Sequence, residues 1–70
     1  MYYNYYINLN AQENGDNEVH REDCSYLNLV SNKKLLGSFL NCHDAIIAAK
    51  RMGYSNADGC YYCSKPCHRS

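Results

Sequence analysis

The sequence predicts an α+β fold, in which one helix packs on a small three-stranded antiparallel sheet. Alternating apolar residues near the N-terminus indicate a strand, and a stripe of apolar residues at helical spacing begins at Cys42. The 70 residues make a single small domain, 1–70. A chain this short buries only about 60% of its unfolded surface, so its core is marginal. We therefore expect a cross-link or a metal ion to support the hydrophobic core.

Three short segments form the predicted sheet. Residues 2–10 make the first strand, in which these side chains alternate onto one face: Tyr3, Tyr5, Ile7 and Leu9. Asn14-Gly15 favours a hairpin turn, after which Glu18-Val19-His20 returns as the second strand. Residues 25–34 make an irregular connection to the third strand at 35–40, where Gly37 marks a bulge or a close approach.

One helix is predicted over Cys42–Met52. Asn41 is a good N-cap, and Gly53 fits the position just after the helix. The apolar stripe that should pack on the sheet contains Cys42, Ala45, Ile46, Ala49 and Met52. Cys42 is accordingly interpreted as a buried, small apolar residue and not as a ligand. Residues 54–59 are rich in turn formers, and the tail from Ser64 should fray unless a metal or a packing contact holds it.

Two half-sites with the spacing of metal ligands frame these elements. His20 and Cys24 form an H-x-x-x-C pair, and Cys60 and Cys63 form a C-x-x-C pair far along the chain. Zinc prefers four such nitrogen and thiolate ligands, and two pairs can hold one ion from opposite sides. The predicted site binds one zinc ion per chain through His20, Cys24, Cys60 and Cys63. The alternates for the fourth ligand, Cys67 and His68, extend the metal-binding module over about residues 19–68.

The cysteine count bears on the alternatives to a metal. Core thiols or a disulfide framework could also use these residues, but five cysteines cannot all pair within one chain. The N-terminal residues Met1–Tyr6 have neither the basic nor the apolar part of a secretory signal. We therefore expect a cytoplasmic location, where a metal is favoured over disulfides.

Charge and hydropathy make some classes of partner less favoured. Seven basic and seven acidic residues cancel, which disfavours nucleic acid because phosphate binding needs a positive surface. No apolar run approaches the 18 or more residues of a membrane span, so no membrane association is expected. Paired carboxylates and a glycine-rich phosphate loop are missing from the sequence as well, and we expect no enzymatic activity.

The order of these features resembles a known family. Val19-His20-x-x-Asp23-Cys24, the strand Leu36–Phe39, a helix with Ala45 and Ala49, Gly53-Tyr54 and Cys60-x-x-Cys63 are similar to the small zinc-binding module of the Ada DNA-repair proteins. Related modules are appended to bacterial nucleases and competence proteins, so a bacterial origin is expected. The resemblance implies zinc bound by His20, Cys24, Cys60 and Cys63. It does not imply phosphotriester repair, because His20 stands where Ada proteins have the methyl-accepting cysteine.

These observations favour a non-catalytic, structural zinc-binding module. Four protein ligands close the coordination sphere of zinc, and closed sites are structural. We expect the module to mediate interaction with an unknown protein partner or, less favoured by charge, with nucleic acid. The alternative is a thiol-based redox or metal sensor, in which Cys67 is a spare thiol that pairs with Cys60 or Cys63 on oxidation.

Overall fold

A four-stranded mixed sheet and one helix form the α+β fold in the computed structural model, which describes residues 1–69. The strands are β1 (Tyr3–Asn8), β2 (Asn17–Arg21), β3 (Lys33–Phe39) and β4 (Ala57–Gly59), and the helix is α1 (Cys42–Arg51). Short 3₁₀ helices cover Ser25–Leu29 and Lys65–Cys67. The strand order is β3-β1-β2-β4, so the N-terminal strand lies inside the sheet.

The prediction of a three-stranded antiparallel sheet was wrong, because it missed the short strand β4 and its parallel pairing. β4 pairs in parallel with β2, with Asn17 opposite Ala57 and Val19 opposite Gly59. Parallel pairing requires a long crossover, and here the chain between β2 and β4 includes β3 and α1. A strand of three residues is too short to show alternation, and Asp and Gly are poor strand formers. The segment therefore has the sequence pattern of a turn.

β1 and β3 match their predicted positions closely. Tyr5 and Ile7 are buried on the predicted core face of β1. The register between β1 and β3 shifts between Tyr5 and Tyr6. Gly37 lies opposite Tyr5 with a φ of 136°, a backbone conformation that favours glycine. The irregularity predicted at this glycine is confirmed.

The helix begins and ends as its capping residues predict. The side chain of Asn41 accepts a hydrogen bond from the Asp44 backbone N–H at 2.9 Å. Gly53 follows the C-cap residue Met52 with a φ of 105°, in the positive-φ region that glycine commonly adopts just after a helix. Ala45 and Ala49 are fully buried. Met52 is 47% exposed, so the apolar stripe is one residue shorter than predicted.

The C-terminal tail is anchored by a disulfide. Cys42, at the start of α1, is bonded to Cys67, which lies 25 residues later in the second 3₁₀ helix. The interpretation of Cys42 as a simple apolar residue was therefore wrong, although its burial is confirmed. The expectation of a metal in place of disulfides also needs correction, because one disulfide is present. The other three cysteines, Cys24, Cys60 and Cys63, are free thiols.

Candidate metal centre

Two neighbouring strands bring the half-sites together. His20 lies near the end of β2, and a turn places Cys24 directly after it, with the Cys24 N–H donating to the carbonyl of Arg21 at 2.9 Å. β4 runs beside β2 and ends at Gly59, so that Cys60 donates its N–H to the Val19 carbonyl at 2.9 Å. The parallel pairing thereby places Cys60 beside His20, although 40 positions separate them in the chain.

Four side chains converge at this point. Their ligand atoms lie within 4.8 Å of one another, and the four residues are His20, Cys24, Cys60 and Cys63. The sulfurs of Cys24 and Cys60 are 4.0 Å apart. Ligand atoms around a tetrahedral zinc ion are separated by about 3.3–3.8 Å, as follows from zinc–ligand bonds of 2.0–2.3 Å. The four groups thus lie close to the spacing that one zinc ion requires.

His20 is the most unusual residue of the cluster. It is 1% exposed, and both of its ring nitrogens are buried without a hydrogen-bond partner among the described residues. Its Nε2 lies 3.3 Å from Oε1 of Glu18, but this contact does not have the geometry of a hydrogen bond. An unsatisfied buried polar group costs about 1–3 kcal/mol. A bound cation would remove that cost, since neutral imidazole nitrogen is a common metal ligand.

Burial favours the uncharged forms of Cys60, Cys63 and His20 when no cation is present. It raises the pKa of the Cys63 thiol to about 12 and also raises that of Cys60. Burial lowers the pKa of His20, against the opposing influence of Glu18. The Arg21 backbone N–H points at the Cys63 sulfur from 3.3 Å, and such a contact favours the thiolate. A cation bound here would therefore replace the thiol protons of Cys60 and Cys63.

The alternate ligands lie outside this group. Cys67 is bonded to Cys42, so it has no free thiol for the metal or for the predicted redox partner role. His68 places Nδ1 3.0 Å from the carbonyl oxygen of Gly59 and 3.2 Å from Oδ2 of Asp58. Its imidazole therefore fastens the tail to β4. The sequence-based interpretation also missed Glu18, although residues two apart on a strand share a face.

Three exposed tyrosines lie beside the metal-binding residues, and one of them, Tyr62, lines the depression at Cys24 and Cys63. Tyr26 and Tyr62 stack with their ring centres 4.3 Å apart, and Tyr61 meets Tyr62 edge-on at 5.2 Å. The Nζ of Lys65 lies 5.2 Å from the centre of the Tyr61 ring. We call Tyr26, Tyr61 and Tyr62 the tyrosine cluster. It covers the surface beside Cys24 and the C-x-x-C loop with aromatic side chains that are 41–66% exposed.

The fold and this cluster define a small α+β domain with a buried Cys/His group that could hold a metal ion such as zinc. No protein-family model matches the chain, and no curated protein or solved structure is detectably similar to it. The resemblance to the Ada module therefore stays a prediction. The one α-helix among residues 1–69 is too short and too polar to cross a membrane.

Proposed function

We propose that this chain is a structural zinc-binding module that mediates protein interaction. One zinc ion is held by the Nδ1 or Nε2 of His20 and by the thiolates of Cys24, Cys60 and Cys63. The observation that carries the proposal is the burial of the His20 ring among three free thiols, with no hydrogen-bond partner for its nitrogens within residues 1–69. The same four residues are the ligand set that the resemblance to Ada modules implies.

The distribution of the five cysteines supports this assignment. Two of them, Cys42 and Cys67, form a disulfide, and the remaining three meet around one histidine. The odd count, which prevents complete disulfide pairing, thus divides into one disulfide and one Cys₃His set. Cys₃His is a common composition of structural zinc sites. A bound ion would also protect three neighbouring thiols from oxidation, because coordinated sulfur is less available for reaction.

The surroundings of the cluster favour binding over catalysis. Four protein ligands leave zinc no position for a substrate or a reactive water. The depression beside Cys63 has a volume of about 220 Å³, below the roughly 300–1,000 Å³ of typical small-molecule sites. Exposed aromatic side chains, as in the tyrosine cluster, are enriched at protein interfaces. With a net charge of zero, a protein is favoured over nucleic acid as the partner.

Native mass spectrometry of freshly purified protein, with a thiol count on the same sample, tests the metal. The expected result is one zinc ion per chain and one disulfide. Three thiols should react with an alkylating reagent only after acid or a chelator has released the ion. Purified protein that has no metal, takes up none from added zinc and folds identically in a chelator would overturn the proposal.

A matched pair of histidine variants tests the ligand set. His20→Ala should lose zinc to a chelator far more readily than the wild-type protein, because it lacks one ligand. His68→Ala should retain zinc nearly as well as the wild type, since this ring contacts the Gly59 carbonyl, Asp58 and Tyr61 and is not among the four converging ligands. Equal retention of zinc by the two variants would contradict the assignment of His20 as the fourth ligand.

A further inference from the structure

We propose that the Cys42–Cys67 disulfide controls how tightly the metal centre holds its ion, so that a thiol reductant weakens metal binding. This inference rests on the proposed function, because it concerns the same four ligands. It adds that the redox state of two cysteines outside the ligand group, Cys42 and Cys67, changes the affinity of that group for zinc. The physical link is the C-terminal tail, which connects the disulfide to β4 and to the C-x-x-C loop.

The disulfide holds the tail against the helix. Cys67 is 6% exposed in the 3₁₀ helix Lys65–Cys67, and Cys42 is 7% exposed at the first position of α1. Because the helix is fixed on the sheet by the buried Ala45 and Ala49, the covalent bond fixes the tail relative to the core. Without that bond, only noncovalent contacts with β4 would hold this terminal segment in place.

The tail in turn packs closely on β4. Gly59 has no room for a side chain, because a Cβ atom there would lie 2.7 Å from the Cβ of Cys67 and 2.6 Å from the carbonyl oxygen of Ser64. His68 contacts the Gly59 carbonyl at 3.0 Å. The Arg69 backbone N–H donates to Asp58 at 2.9 Å. The tail therefore covers the last strand immediately before the first cysteine of the loop.

The C-x-x-C loop, Cys60–Cys63, is held by hydrogen bonds at both of its ends. At one end, Cys60 follows β4 and bonds to the backbone of Val19. At the other end, Ser64 is 1% exposed, donates its N–H to the Cys60 carbonyl and accepts from the Cys67 N–H, each at 2.9 Å. The position of Cys63 thus depends on a segment that the disulfide fastens. Loss of the disulfide should loosen one end of the loop and reduce the preorganisation of two ligands.

A dithiol reduces the Cys42–Cys67 disulfide by thiol–disulfide exchange. One reductant thiolate attacks the Cys67 sulfur, which breaks the bond to Cys42 and releases the Cys42 thiolate at the N-terminus of α1, where the helix dipole favours negative charge. The second reductant thiolate then attacks the mixed disulfide and releases Cys67. The protein gains two electrons and two protons, and the reductant leaves as a disulfide. A depression lined by His43, Lys50 and Arg69 reaches Cys67 and provides access.

Metal affinity in the two redox states is the direct test. Zinc is titrated against a chromophoric chelator under anaerobic conditions, with the disulfide intact and after reduction by a water-soluble phosphine. The phosphine reduces the disulfide to two thiols and becomes its oxide with an oxygen from water. The oxidised protein should bind zinc more tightly, by a factor on the order of ten, as is typical of coupled sites. Reciprocally, zinc should lower the reduction potential of the disulfide by about 30 mV for a tenfold difference.

Two variants separate a redox effect from other causes. Cys42→Ala/Cys67→Ala should bind zinc with the weaker affinity of the reduced protein and should not respond to the phosphine. His43→Ala is the matched control on the same helical turn, because its side chain is exposed and it is neither a disulfide partner nor one of the four proposed zinc ligands. It should show the same oxidised-to-reduced difference as the wild type, with one zinc ion in both states.

The outcomes distinguish this inference from the proposed function. Equal zinc affinity in the oxidised and reduced proteins would overturn the coupling while leaving the zinc module intact. A second zinc ion bound only by the reduced protein, and lost in His43→Ala, would also overturn it. Cys42, His43 and Cys67 would then bind a second zinc ion themselves, and the two cysteines would not act by holding the C-terminal tail in position. No zinc binding in either state would overturn both proposals.

Discussion

Replacing His20 with leucine should have opposite effects on stability with and without metal. In the metal-free protein, the substitution removes two buried ring nitrogens for which the described part of the chain offers no hydrogen-bond partner, each of which costs about 1–3 kcal/mol. Leucine has a comparable volume, and Glu18, whose side chain is 20% exposed, can turn to solvent. We expect the metal-free variant to be as stable as the metal-free wild type, or more stable by up to about 2 kcal/mol.

Zinc should reverse that order. When free zinc is present at about 1,000 times the dissociation constant, it stabilises the wild type by about 4.1 kcal/mol. Loss of an outer partner of a metal ligand already weakens binding by up to about 100-fold, so loss of the ligand itself should cost at least as much. The stabilisation of the variant then falls to about 1.4 kcal/mol or less. The difference of about 2.7 kcal/mol corresponds to roughly 10–20 °C in Tm for a domain of this size.

Thermal unfolding followed by circular dichroism measures both effects. The wild type and His20→Leu are melted anaerobically, with the disulfide intact, in excess zinc and in excess chelator. His43→Leu serves as the control, because this exposed residue lies outside the cluster, and it should show the same zinc-dependent increase in Tm as the wild type. A Tm of His20→Leu that is lower by the same amount in both conditions would refute the reasoning, since His20 would then be an ordinary packing residue.

Three further predictions follow from the cysteines. Zinc binding at pH 7 should release about two protons or more, because burial raises the pKa of the Cys60 thiol and brings that of Cys63 to about 12. Calorimetry in buffers of different ionisation enthalpy counts the released protons, and a count near zero would contradict thiolate ligation. The metal-free protein should lose stability as the pH rises above 9.0, the ordinary pKa of a cysteine thiol. The reason is that the unfolded chain releases its thiol protons there, while folded Cys63 has a pKa of about 12 and keeps its proton. Chemical denaturation at pH 8 and pH 10 measures this loss, and equal stabilities would be inconsistent with a raised pKa. In zinc-saturated protein, Cys42→Ala/Cys67→Ala should lower the free energy of unfolding by about 3.5 kcal/mol through loss of the loop constraint, because the disulfide spans 25 residues. A tenfold weaker affinity for zinc should add about 1.4 kcal/mol at the same zinc concentration. A total loss below about 1 kcal/mol in denaturant titrations would argue against the bond.

Elements whose signals are local were predicted well. The alternation around Tyr5 and Ile7 predicted β1, and Asn41 and Gly53 predicted the ends of α1. In each case the deciding interaction joins residues at most a few positions apart, such as the bond from Asp44 to the Asn41 side chain. β4 has no comparable signal, because its three residues become a strand only where the edge of β2 is available to pair with them.

The candidate site shows the same division. Each half-site is visible in the sequence, because the spacing of His20 with Cys24 and of Cys60 with Cys63 lies within a few residues. The spatial meeting of the two pairs depends on the parallel pairing of β2 with β4. The roles of Glu18 and of the Arg21 backbone N–H also emerge only from the three-dimensional arrangement.

The sequence by itself determined the helix with its caps, the hairpin strands and the two ligand pairs, since these are properties of neighbouring residues. Only the tertiary structure decided the fourth strand and which cysteines are free. Cys42 and Cys67 are bonded because α1 and the tail meet on the same side of β4. Cys24, Cys60 and Cys63 remain thiols beside His20 because the pairing of β2 with β4 brings them together in a second buried cluster, separate from the one that contains Cys42 and Cys67. Such choices depend on how distant segments pack, and local spacing along the chain carries no record of that packing.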